Sequence, residues 1–256
     1  NVVAKRQGGN QGGIMVIIES ELLAHRQELI ERGILYTRGE GQNEKWVINA
    51  NHFALYLVNK YHIRVFQKHG NSLKDSYFYL YNGKVYESVK LLTIENLGFQ
   101  ELPEQDKELY SKRVKQDLVD RIVNYGYVDK HLHEMKEESD LIALYNCLYN
   151  WKTDQRFEFD PKYWNQQVLN YDLDPSASSP LFKEWLTTTF VDEVGQVDRR
   201  KIKFVIELFG YAFYREHPIK AIFFIFGLSN TGKSRLFAIL DSLMNNDNIS
   251  TITIRQ

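Results

Sequence analysis

The sequence of 256 residues has one cysteine, five prolines and almost no net charge. A single thiol, Cys147, cannot form an internal disulfide, which excludes the disulfide-rich secreted class. A formal net charge of -1 excludes a basic surface over the whole chain, so any nucleic-acid surface must be local. The sequence has no signal-peptide pattern and no run of about 20 apolar residues, so we expect a soluble, cytoplasmic protein.

The apolar fraction of 43% is enough for one large core or two modest ones. Hydrophobic spacing predicts a helix from Ser20 to Arg32, with Ser20 as its cap, and a second helix from near Asn51. The pair Asn82-Gly83 separates two aromatic-rich segments and predicts a β-hairpin, because both residues tolerate a positive φ. A long amphipathic helix is predicted over residues 108–125.

The predicted secondary structure changes in the middle of the chain. Residues 140–161 predict short strands around a polar turn near Thr153 and Asp154. Ser179 and Pro180 predict a helix start, because proline at the first helical position loses no hydrogen bond. Asp198 predicts the cap of a further helix.

A phosphate-loop pattern stands near the end of the sequence. Residues Gly227 to Ser234 read G-L-S-N-T-G-K-S, which matches G-x-x-x-x-G-K-[ST] at every fixed position. The apolar segment "AIFFIF" before the loop predicts a strand buried in a parallel sheet, and "GKSRLFAILDSLM" after it predicts a helix. Strand, loop and helix in this order are the arrangement that phosphate binding requires.

Each position of the loop has an expected role toward ATP and Mg²⁺. Gly227 and Gly232 let the backbone N–H groups converge on a polyphosphate. Lys233 is expected to reach the β- and γ-phosphates, and the Ser234 hydroxyl to bind Mg²⁺, so these two form the predicted catalytic pair. The predicted nucleotide-binding set comprises Gly227, Leu228, Ser229, Asn230, Thr231, Gly232, Lys233, Ser234 and Arg235.

Several segments, in the same order along the chain, resemble those of the phage and plasmid primase-helicases of the poxvirus type, which are superfamily-three AAA+ helicases. Besides the loop, the resemblance rests on "DLIALYNCLYNWKTDQRFEFDP", "YDLDPSA", "LFKEWLTTTF" and "FVIELFGYAFY". It covers about residues 138–256, whereas residues 45–125 resemble the family's leader region only loosely. Cys147 stands where the family usually has glycine, and Leu228 and Ser229 replace a usual proline or glycine pair.

The sequence predicts a mixed α/β fold in four parts. The first residues are rich in glycine and poor in apolar residues, so 1–14 are expected to be a linker, a tag remnant or a disordered tail. For the rest, the resemblance implies a small α+β domain at 15–137, a hairpin with a helical collar at 138–215, and the start of a P-loop AAA+ core at 216–256. The core is expected to be incomplete after the helix that follows the phosphate loop.

The resemblance also implies a DNA helicase of phage or mobile-element replication, often fused to a primase. Such motors are hexameric rings that hydrolyse ATP between subunits and move DNA through a central pore. After the helix that follows the phosphate loop, such motors have a strand with an acidic end, a polar sensor, a pore hairpin and an arginine finger. We therefore expect the 256-residue chain to bind ATP and hardly hydrolyse it.

Two other functions fit the same residues. Residues 15–215 could serve as a non-catalytic platform for oligomerisation or for docking DNA or a partner, with an inert loop. The loop could instead belong to an unrelated P-loop phosphotransferase.

Four weaker candidates are interpreted as structural. Asp172 and Asp174 favour a turn over a metal site, because Pro175 follows them. The pair His131 and His133 has no third ligand at zinc spacing. Cys147 is expected to be a small buried side chain. The basic clusters at Lys112, Arg113 and Lys115 and at 198–203 are expected to be solvated helix faces.

Overall fold

The computed structural model describes residues 11–67, 76–129, 140–214, 219, 222–228 and 231–244, with side chains from residue 21 onward. The fold is mixed α/β, as the sequence predicts. The chain divides into two compact units, the first within residues 1–82 and 86–135 and the second within 83–85 and 136–256.

The first unit combines helices with two small antiparallel sheets. Its elements in chain order are α1 (Gln11–Glu31), β1 (Leu35–Arg38), a 3-10 helix (Gly41–Asn43), β2 (Lys45–Ile48), α2 (Ala50–Tyr61), β3 (Arg64–Gln67), β4 (Ser76–Tyr81), β5 (Tyr86–Val89), α3 (Leu91–Glu101), a 3-10 helix (Glu104–Leu109) and α4 (Lys112–Gly126). Strands β1 and β2 form one sheet, and β3, β4 and β5 form the other with β4 in the centre.

The core of the first unit lies among its helices and the β3–β5 sheet. Apolar residues three or four positions apart place one face of each helix inward. Phe53 and Leu57 of α2, Ile94 of α3, and Leu118 and Ile122 of α4 are completely buried. These helices therefore owe their stability mainly to the packing of one apolar face.

The second unit contains a small sheet and three described helices. Its elements are β6 (Leu141–Ala143), β7 (Leu148–Asn150), β8 (Gln155–Phe157), α5 (Pro180–Thr189), α6 (Arg199–Ala212) and α7 (Lys233–Met244). The strands form an antiparallel sheet in the order β6-β7-β8. Leu186, Val205, Phe209 and Leu236 bring the three helices into one apolar cluster.

Most local predictions are confirmed. The Asn82-Gly83 hairpin joins β4 to β5, with Gly83 at a φ of 96°. The Asp198 carboxylate caps α6 by accepting hydrogen bonds from the amides of Arg200 and Lys201. Pro180 is the first residue of α5, although the Ser179 side chain makes no capping hydrogen bond there.

Two predictions are wrong. Helix α1 begins at Gln11, so Ser20 lies inside the helix and is not its cap; a serine is tolerated in a helix interior at small cost. Residues 222–227 form neither helix nor strand, and Ile222, Phe224 and Phe226 are 80%, 79% and 90% exposed. A buried parallel strand needs neighbouring strands, and no strand of the described chain pairs with this segment.

None of the described helices combines the length and the apolar composition needed to cross a bilayer.

Candidate nucleotide-binding loop

The predicted phosphate loop follows the exposed segment 222–226 and ends in the first turn of α7. The structure describes Gly227, Leu228 and residues 231–235 of the predicted set, whereas Ser229 and Asn230 lie outside the described residues. Thr231, Ser234 and Arg235 are exposed to solvent. The described part of the loop is therefore open to a ligand from solution.

The Lys233 side chain folds back across this loop. Its ammonium donates hydrogen bonds to the carbonyl oxygens of Gly227 at 2.9 Å and Leu228 at 2.5 Å. A longer contact of 3.3 Å joins it to the Thr231 hydroxyl, which donates to the Leu228 carbonyl at 2.8 Å. The ammonium is thus paired with neutral acceptors, and a phosphate oxygen would make a stronger, charge-assisted bond.

Gly232 makes the turn from the loop into α7. Its φ of 85° is in the left-handed region, where a side chain is unfavourable. The Gly232 carbonyl accepts the first hydrogen bond of the helix, from the Leu236 amide at 3.0 Å. The amides of the first helical turn have no partner within the helix and carry the positive end of its dipole. This helix end therefore favours an anion.

The helix that carries these groups is anchored in the core. Leu236, at the end of the first turn of α7, is 6% exposed and packs in the cluster with Leu186, Val205 and Phe209. Two residues before it, Ser234 faces solvent. The sequence thus fixes one side of α7 in the protein interior and presents the other at the loop.

Asp174 begins a turn, as predicted for this segment, and its carbonyl oxygen accepts a hydrogen bond from the Ala177 amide at 3.1 Å. The Asp174 carboxylate accepts hydrogen bonds from the Ser176 hydroxyl at 2.6 Å and from the Ser176 amide at 2.8 Å. The hydroxyl bond, followed by the amide bond, lowers the pKa of Asp174. Within the described chain, no group of three metal-binding side chains is close enough to hold an ion.

The other weak candidates are structural where the structure describes them. Cys147 is buried, and burial raises the pKa of its thiol, as expected for an inert side chain. Lys115 pairs with Glu95 at 3.3 Å, and Lys201 pairs with Asp198 at the same distance. His131 and His133 lie outside the described residues.

A polar cluster around Glu101 has no signal in the sequence. The Glu101 carboxylate accepts hydrogen bonds from the Lys60 ammonium at 2.7 Å, from the Tyr61 hydroxyl, and from the Tyr56 hydroxyl at 3.4 Å. Its backbone oxygen lies 2.9 Å from Nε2 of His25. The partners stand at least 40 residues away in the sequence, so no spacing pattern could indicate them.

A comparison with protein families identifies the first part of this chain. The sequence model of the family described as D5 N terminal like matches residues 31–191, which is more than half of the chain. No curated protein matches the chain significantly. The matched range ends before Gly227, so the loop is interpreted from its own residues. The chain belongs to the D5 N terminal like family, whose domain is the N-terminal domain of phage and viral D5-type primase-helicase proteins.

Proposed function

We propose that this chain serves in a DNA helicase of the primase-helicase type, and that it binds MgATP at residues 227–235. The observation that carries the proposal is the Lys233 ammonium, which lies across the loop on the carbonyls of Gly227 and Leu228. This cation stands beside the unpaired amides at the start of α7. A cation beside the amides of a helix start, on an exposed loop, fits a polyphosphate.

The residues of the loop divide the binding between them. The ammonium of Lys233 exchanges its neutral carbonyl acceptors for phosphate oxygens, which bind it more strongly. The Ser234 hydroxyl is exposed at the first turn of α7 and is available to Mg²⁺. Magnesium supplies charge neutralisation to the phosphates when it is bound. Arg235 adds a second cation at the same helix end.

Calorimetric titration of the 256-residue chain with MgATP tests this proposal. We expect saturable binding that Lys233→Ala abolishes, because the phosphates lose the cation closest to the loop. Lys203→Ala is the matched control, since Lys203 is an exposed lysine of the same unit that pairs with Glu207 at 3.6 Å. Equal MgATP affinities of the wild type and Lys233→Ala would contradict the proposal.

We further propose that ATP hydrolysis and DNA unwinding belong to a hexameric ring of the full-length protein. With a net charge of -1, the chain has no long-range attraction for DNA. We expect weak, strongly salt-sensitive binding of single-stranded and forked DNA, measured by fluorescence anisotropy at several salt concentrations. Tight, salt-resistant binding by this chain would instead identify a dedicated DNA-binding domain.

The exposed segment before the loop favours a second function, that of a non-catalytic docking or oligomerisation module. Phe224 and Phe226 are 79% and 90% exposed, and such apolar exposure is typical of a surface that is covered in an assembly. Self-association of the wild type without any binding of MgATP would support this alternative and reject the nucleotide site.

A further inference from the structure

A groove between α5 and α7 lies beside the phosphate loop. Its volume is about 560 Å³, which is within the range of small-molecule sites. Helix α5 contributes Leu181, Phe182 and Trp185, and helix α7 contributes Arg235, Ile239 and Leu243. The groove is therefore mostly apolar, with one cation at the end nearest the loop.

Trp185 connects this groove to the loop. A Cβ atom built on Gly232 would lie 3.9 Å from Cζ2 and 4.0 Å from Nε1 of the Trp185 indole. The indole is half-buried, and its neighbour Phe182 stacks with it at 6.0 Å between ring centres. Its N–H donates no hydrogen bond to any residue that the structure describes. A fixed aromatic ring with a free donor thus stands next to the residue that begins α7.

The groove continues along α7 from this point. Arg235, Ile239 and Leu243 are four residues apart and share one face of the helix, so each step along the groove is about 6 Å. A nucleoside whose phosphates lie at the helix start would extend along the groove over a distance of this size. Arg235 is exposed and forms no ion pair with a described carboxylate, which leaves its guanidinium available to a phosphate.

We propose that the α5–α7 groove binds the nucleoside of the nucleotide whose phosphates lie on the loop. Trp185 stacks on the base, and Arg235 contacts the phosphate nearest to the ribose. The inference rests on the proposed function, because it requires a triphosphate at Lys233. Three features support this occupant, namely continuity with Gly232, the unpaired cation at the loop end and the apolar lining beyond it.

Titrations with two ligands separate this inference from the proposed function. MgATP carries phosphates and nucleoside, whereas magnesium tripolyphosphate carries phosphates alone. The test variant is Trp185→Leu, which keeps apolar bulk in the helix cluster and removes the ring and its N–H. The matched control is Trp151→Leu in the same unit, where the indole contacts Tyr214 at 5.2 Å between ring centres. Thermal melting compares the folding of both variants.

We expect Trp185→Leu to weaken MgATP binding by about 5- to 150-fold, the range of one base stacked on an aromatic ring. Tripolyphosphate binding should stay within about twofold, and Trp151→Leu should change neither ligand. Trp185→Phe, which keeps a ring and removes only the N–H, should retain most of the MgATP affinity.

Three results would overturn the inference. If MgATP and tripolyphosphate bind the wild type equally, the groove does not hold the nucleoside although the loop still binds phosphate. If Trp185→Leu weakens both ligands equally, or neither, Trp185 only supports the fold. If Trp185→Leu abolishes self-association and leaves MgATP binding unchanged, the groove is a contact between copies of the chain. A wild type that binds neither ligand rejects the proposed function itself.

Discussion

Replacing Glu101 with glutamine tests how the helices of the first unit are held together. The side chain of Glu101 is 10% exposed and pairs with the Lys60 ammonium at 2.7 Å. Glutamine preserves the shape and one acceptor oxygen, but it removes the charge. Burial alone would raise the pKa of Glu101, yet the hydrogen bonds from Lys60 and Tyr61 outweigh burial and lower the pKa. The carboxylate is therefore the charged partner that the cluster is built around.

The expected loss of stability follows from the partners. A hydrogen bond to a charged group contributes about 1.5–3 kcal/mol. Lys60 is 41% exposed and can turn to water, so its part of the loss is reduced. Tyr61 can still donate to the glutamine oxygen. We expect Glu101→Gln to lower the free energy of unfolding by about 1.5–3 kcal/mol.

Urea denaturation followed by far-UV circular dichroism measures this change in the full chain, and hydrogen exchange of α2 peptides assigns it to the first unit. Glu104→Gln is the matched control, because Glu104 pairs with Lys107 at 2.5 Å but is 89% exposed. An exposed pair of this kind contributes about 0–1 kcal/mol. If both variants lose the same free energy of unfolding, burial does not explain the contribution of the Glu101 cluster to stability.

Four further predictions concern stability and reactivity. The pKa of folded Glu101 lies below its ordinary value of 4.5. The contribution of Glu101 to the free energy of unfolding is therefore complete above that pH and is lost as the pH falls through the folded pKa. In acid denaturation, the difference in stability between the wild type and Glu101→Gln should shrink accordingly. Gly98→Ala should destabilise the chain by about 1–3 kcal/mol in urea, because its Cβ would meet Leu118 at 2.5 Å. Gly210→Ala, with nothing within 4 Å, should stabilise α6 by about 0.5–1 kcal/mol. Cys147 should react with a thiol reagent slowly in the native chain and rapidly in urea, because burial raises its pKa.

The sequence predicts features that depend on neighbouring residues. The Asp198 cap, the Asn82-Gly83 hairpin and the start of α5 at Pro180 each follow from a few adjacent side chains, and the structure contains all three. The Glu101 cluster depends on residues brought together by folding, for which a single sequence has no periodic signal. The prediction of a buried strand at "AIFFIF" fails for a related reason. An apolar run shows that burial is favourable, but it does not show which neighbouring strands would bury it.

The proposed phosphate site depends on the loop and α7 rather than on the exposed segment 222–226. The groups proposed to bind phosphate are the Lys233 ammonium, the Ser234 hydroxyl and the amides at the start of α7. All of them are held from the helix side, where Leu236 is 6% exposed in the apolar cluster. Gly227, the first residue of the loop, supplies a carbonyl that holds the ammonium in place, and residues 222–226 contribute none of the groups proposed to bind phosphate. In contrast to the arrangement that the sequence predicts, phosphate binding through these groups therefore does not require this segment to lie in a sheet.

ATP hydrolysis requires more than phosphate binding, because it needs a positioned water and compensation of the charge that develops in the transition state. The segment 222–226 is exposed and pairs with no described strand, so it gives no support for positioning these groups, and the binding of MgATP is the proposal to test first.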